Sequence, residues 1–178
     1  MRKHLIALLF LIPFVAVAQS PAPPRLTKTA IGNCGCSAYM PADMPKFNLS
    51  LSEDGAEVYT AELETSGLFY GCIAVKFAER FGDDYNSEHL EALLISYMDY
   101  LKSILGVTSS TGYGKGHTLT DYPDALGVLD YWQTGDSVHY AVKGWVNRDK
   151  MGVLFLGKKD SDADINIQNV YLNGWRFE

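Results

Sequence analysis

The sequence predicts an α+β fold: a single domain with a mostly antiparallel sheet of about six strands and helices packed on its faces. Two blocks of strand-like residues, 47–77 and 128–158, flank one long stretch of helical periodicity. The second block is broken only by short turn signals, and a brief helical stripe closes the chain. Strands in runs, with the helices set apart from them, are the pattern of an α+β domain.

Phe47-Asn48-Leu49-Ser50-Leu51-Ser52 alternates as a half-buried strand does. Asp54-Gly55 marks a turn, and Ala56 to Thr65 continues in strand-forming residues. Gly67 to Phe77 places Phe69, Ile73, Val75 and Phe77 on one side and Leu68, Tyr70, Cys72 and Ala74 on the other. Both sides are apolar, so this strand is expected at the centre of the sheet, covered on both faces. From Ser87 the apolar residues fall at Leu90, Leu93, Leu94, Tyr97, Leu101, Ile104 and Leu105, the stripe of an amphipathic helix. Ser87 is a candidate cap, Glu88 suits the first turn, and Gly106 suits the left-handed position after the last.

Val128–Thr134, Val138–Asn147 and Gly152–Lys158 follow, with turns at Gly135-Asp136 and Arg148-Asp149, and read as an antiparallel meander. The tail offers Ile167, Val170 and Tyr171 as a short helical stripe, with Asp162 and Asp164 before it and Trp175 and Phe177 returning to the core. Ser110 to Pro123, STGYGKGHTLTDYP, reads as a surface connection between the long helix and the meander.

The chain opens with Arg2 and Lys3, an apolar run from Leu5 to Val15, and Ala16-Val17-Ala18. That is the pattern of a secretory signal peptide over residues 1–18, cut to leave Gln19. An exported protein, periplasmic or secreted, is expected, with no transmembrane segment in the mature chain. Residues 19–45 read as an extended lead-in that carries Ser20-Pro21-Ala22-Pro23-Pro24, Cys34 and Cys36; residues 46–178 form the domain. The leader holds two cations and no acid, so the formal charge of −6 becomes −8 without it. Nucleic-acid binding rests on many Lys and Arg against phosphate, and this balance argues against it.

The central strand, the long helix, the glycine-containing loop, the meander and the closing Tyr171-Leu172-Asn173-Gly174-Trp175 together resemble the family of the photosystem II extrinsic protein PsbP. The same fold serves the Mog-type Ran-binding import factor and bacterial envelope proteins. The resemblance covers roughly Phe47 to Phe177, with Gly174 where the family usually has Ser. It implies a noncatalytic role, the binding of an envelope partner or a small ligand, and it carries over no individual site residue.

The residues themselves offer few reactive constellations. Gly114-Lys115 is followed by Gly116 rather than a helix opening on Ser or Thr, so the loop is no phosphate-binding P-loop. His117 with Asp121 and Asp124 would be the donors of a metal-dependent or hydrolytic enzyme, the main alternative function; their spacing matches no metal motif, and no metal or other cofactor is implied. His89 and His139 stand apart, and no G-x-S-x-G stretch is present. Export favours disulfides, and Cys72 is expected to pair with Cys34 or Cys36; a Cys34-Gly35-Cys36 redox pair is the other reading. Tyr113, Lys115 and His117, carried on glycine-rich backbone, are the candidate partner- or ligand-binding residues.

Overall fold

The computed structural model describes residues 24–178; the expected signal peptide and the start of the lead-in lie outside the described residues. The fold is mostly β and corrects the α+β expectation. Among the described residues are eleven strands and two helices. Eight strands form one antiparallel sheet: β3 (Asn48–Leu51), β4 (Glu57–Thr65), β5 (Leu68–Lys76), β10 (Lys150–Lys159), β9 (Val138–Val146), β8 (Tyr122–Thr134) and β6 (Val107–Ser110), in that order, with β7 (Gly114–Leu119) also paired to β8. A second sheet joins β1 (Leu26–Ala30), β2 (Cys36–Pro41) and β11 (Arg176–Phe177).

The extra strands arise where sequence periodicity is weakest. β7 lies in the stretch expected as a surface connection, β6 ends at its first residue, and β1 and β2 lie in the expected lead-in. The β1–β2 hairpin pairs Leu26 with Pro41 through Ala30 with Ser37, and Arg176 and Phe177 add to it from the far end of the chain. Pairing between segments so distant in sequence leaves no local pattern to read.

β5 lies between β4 and β10, with both of its faces covered. On one face α1 (Ser87–Ile104) buries Leu90, Leu94, Met98 and Leu101 against Val128, Trp132, Val142, Val146, Val153 and Phe155. Burying each such side chain stabilises by about 1.5–3 kcal/mol. The helix is capped by Asn86, one residue before the expected Ser87, whose side chain accepts from the His89 amide at 3.0 Å. Gly106 follows it at φ +65°, as expected of a left-handed stop. β3 is the exception among the strands read from alternation: it is an edge strand with Leu49 and Leu51 exposed, because no layer covers it.

The opposite face is covered piecemeal. The small sheet, α2 (Ile165–Leu172) and the segment after it bring Ile31, Ala38, Met40, Tyr171, Leu172, Trp175 and Phe177 onto Tyr59, Tyr70, Cys72, Ala74, Leu154 and Leu156. Two contacts fasten this layer. The Tyr171 hydroxyl donates to the Gly71 carbonyl at 2.8 Å, and the Trp175 ring lies directly over Gly152.

A Cβ on Gly152 would stand 2.2 Å from the Trp175 ring, inside the packed core. Gly152→Ala is therefore expected to destabilise the fold by overpacking, by about 1–3 kcal/mol. Urea unfolding followed by tryptophan fluorescence measures this; unchanged stability would show that the Trp175 layer is not held against β10.

Candidate functional site

The cover stops short at one end of the sheet. On the α2 side, β9 presents His139, Ala141, Lys143 and Trp145, and the partner positions on β8 are Gln133, Tyr131, Leu129 and Gly127. Two depressions flank the Lys143–Leu129 rung. One, of about 510 Å³, is lined by Tyr131, Gln133, His139, Asp162, Ile165 and Gln168 among others. The other, of about 260 Å³, is lined by Thr118, Leu119, Thr120, Asp121, Tyr122, Trp145, Asn173 and Arg176. Gln168 is buried in the wall of the first; its Nε2 donates to the Ala163 carbonyl, while its Oε1 has no partner in the structure.

Lys143 is the anomaly of this surface. It is 5% exposed and makes no ion pair with any acid among the described residues. Its Nζ donates to Asn173 Oδ1 at 2.7 Å and sits 4.5 Å from the centre of the Trp145 ring. Burial pulls the ammonium down to about 8. Arg176 is held on the same residue: its Nη1 donates to the Asn173 carbonyl at 2.9 Å and to the Trp175 carbonyl at 2.6 Å, again with no acid. Asn173 thus anchors two cations, and both Asn173 and Arg176 line the smaller depression.

The chain does pair its buried charge elsewhere. Asp130, fully buried on the α1 side, meets Lys102 Nζ at 2.8 Å and accepts from Trp132 Nε1 at 2.7 Å, from the Tyr131 amide at 2.8 Å and from Thr111 Oγ1 at 3.3 Å. Against that background the missing counter-charge at Lys143 stands out.

The three residues proposed from the loop are split between the two faces. Tyr113 packs on α1, its hydroxyl 2.5 Å from Asp99 and its ring 4.1 Å from Lys102 Nζ. Lys115 pairs with Glu91 of α1 at 2.7 Å. His117 does not follow their alternation. The β7–β8 register shifts between Gly114 and His117, where Gly116 takes φ +81°, so a bulge turns His117 to the other face. There it lies beside Gly127 and Trp145, and its proton affinity is lowered by burial and then by Lys143.

Asp121 lines both the smaller depression and another that borders Arg80, Asn147 and Arg148, where Asp124 also lies. His89 is tilted against Tyr85, and His139 Nδ1 lies 3.1 Å from Asp162. Among the described residues no group of three His, Cys, Asp or Glu side chains is placed to hold a metal ion.

The expected tether from Cys72 to Cys34 or Cys36 is not formed: all three thiols are free and buried. Cys34 is engaged instead by its neighbour across Gly35 (φ +68°). A hydrogen bond from Cys36 lowers the Cys34 thiol and raises that of Cys36, while burial raises Cys72.

Lys143, Asn173 and Arg176 were missed from sequence. The signal was present for Lys143: in Val138–Asn147 it is the one formal charge on a face shared with Ala141 and Trp145. Its partner Asn173 is 30 residues away and follows a helix, so spacing does not connect the two.

No protein-family model matches the chain, and no curated protein is significantly similar to it. No described helix is long and apolar enough to cross a membrane.

The position of Lys143 makes stability depend on pH in a defined window. Below pH 8 both folded and unfolded chains hold the proton, and the folded state bears the full cost of the buried charge. Between pH 8 and about 10.5 the folded state sheds the proton first, so stability rises with pH. Lys143→Met keeps the volume and removes the charge. It is expected to be more stable than wild type at pH 7, by on the order of 3 kcal/mol at most, with the gap closing above pH 8. Charges bordering the site, His117, Asp121 and Arg176, are common to both proteins. Paired urea titrations at pH 7 and 10 measure the difference; a less stable variant at pH 7 would mean that the ammonium has a counter-charge.

Proposed function

We propose that the protein is a noncatalytic binding protein of the bacterial cell envelope that holds a small anionic ligand between β8–β9 and the α2–β11 segment. One observation carries the reading: Lys143 and Arg176 are fixed on Asn173 beside a depression, and neither has an acid partner among the described residues. A buried cation without a counter-ion is costly, and an anionic ligand would offset the cost. The ligand's negative group would meet Arg176 in the depression, with the Trp145 ring as an apolar wall and the Lys143 ammonium behind Asn173 and Trp145. The larger depression, with the free Gln168 acceptor, offers room for the rest of a longer ligand that carries a hydrogen-bond donor. Envelope placement rests on the leader-like pattern of residues 1–18, and the ligand-binding role agrees with what the resemblance to the PsbP family implies.

Isothermal titration with acetate, succinate and inorganic phosphate tests this. At least one is expected to bind at pH 7, to weaken ten-fold or more in Lys143→Met, and to weaken as the pH passes 8 and Lys143 loses its proton. Binding that is indifferent to both Lys143→Met and Arg176→Gln, or no binding by any of the three, would overturn the reading.

A further inference from the structure

We infer that Lys143 is a nucleophilic amine that captures small anionic carbonyl compounds, aldehydes or ketones bearing a carboxylate, as a reversible imine. The inference rests on the anion-binding reading and specifies its ligand class.

The geometry sets Lys143 apart from the other lysines among the described residues. Lys28, Lys76, Lys102 and Lys115 are ion-paired, Lys150 donates to the carbonyl oxygens of Gly35 and Glu178 at 2.9 and 2.8 Å, and Lys46, Lys158 and Lys159 are not buried as Lys143 is. The Lys143 amine is buried, oriented by a single acceptor on Asn173, and set against the Trp145 ring; both of these residues line the smaller depression. An amine reacts with a carbonyl only when unprotonated, and desolvation without an acid partner is how proteins raise that fraction. With Lys143 near 8, roughly a tenth of the amine is free at pH 7, where an ordinary lysine has well under a thousandth. Arg176, on the same Asn173, supplies the cation for the ligand's carboxylate.

The step balances without an external reactant. The Nζ lone pair forms a bond to the carbonyl carbon while the C=O π pair moves to oxygen, which takes up the proton released by nitrogen. The resulting carbinolamine loses its hydroxyl together with the remaining N–H proton as water, and the nitrogen electron pair closes the C=N bond. Amine plus carbonyl gives imine plus water. His117 on β7, whose proton affinity is lowered by burial and then by Lys143, is the titratable group whose charge the Lys143 ammonium opposes.

The test uses wild-type protein with glyoxylate or propanal and cyanoborohydride, which reduces an imine to a stable secondary amine, followed by peptide mass mapping. Lys143 is expected to be labelled at least ten-fold faster than Lys158 or Lys28, with glyoxylate ahead of propanal. The rate should fall as the pH drops below 7. In Lys143→Arg, which keeps the charge and lacks the nucleophile, the fast label should vanish. Label confined to surface lysines while acetate, succinate or phosphate still binds through Lys143 would overturn the amine inference and leave the anion site standing. Absence of both would overturn the two together.

Discussion

The architecture is governed by the need to cover two faces of one wide antiparallel sheet with little helix. α1 spans one face as a single unit, with Leu90, Leu94, Met98 and Leu101 seated on β8, β9 and β10. The other face has no such element. It is closed by a three-stranded sheet, an eight-residue helix and the rings of Trp175 and Phe177, fastened at Gly71 and Gly152. This layer reaches β4, β5 and β10 and, through Leu172 and Asn173, β9, and then gives out across β8, where Tyr131 and Gln133 are exposed. The open groove follows from where the cover ends.

At that margin the chain buries a charge that no acid among the described residues neutralises. Asp130 and Lys102, only one strand away from β9 and on the opposite face, show the usual solution: a buried acid met by an ammonium and three hydrogen bonds. Lys143 has Asn173 alone. Asn173 in turn is held at the end of α2, its amide donating to the Asn169 carbonyl at 2.8 Å, so the layer that closes the core also positions the acceptor that orients the lysine. Fold and site are joined through this one residue. Binding-site residues commonly cost stability that function repays, and the Lys143 ammonium fits that pattern.

What the sequence disclosed follows from which constraints are local. The α1 stripe, the Gly106 stop, the two-faced β5 and the β8–β9–β10 meander were legible because each is written in contiguous sequence, the meander strand by strand with turn residues between. The fold class was not. β11 pairs with β2 from the far end of the chain, and β6 and β7 are short and polar, β7 with two glycines, so they carry no apolar alternation. The candidate site was legible in fragments. His117 was singled out with Tyr113 and Lys115 on the strength of alternation, and the bulge at Gly116 breaks that alternation and sends it to the other face. The Cys72 tether was expected from compartment alone, whereas the geometry turns Cys34 toward Cys36.

The most direct test of the account is the titration of Lys143 itself, followed through its Cε and Hε resonances by NMR in protein carrying labelled lysine. The account predicts that one lysine, absent from the spectrum of Lys143→Met, loses its proton near pH 8, well before the others, and that a bound anion moves that point upward. A Lys143 that titrates with the surface lysines near 10.4 would contradict it, because the ammonium would then be solvated or paired, and neither the anion site nor its reactive amine would have a physical basis.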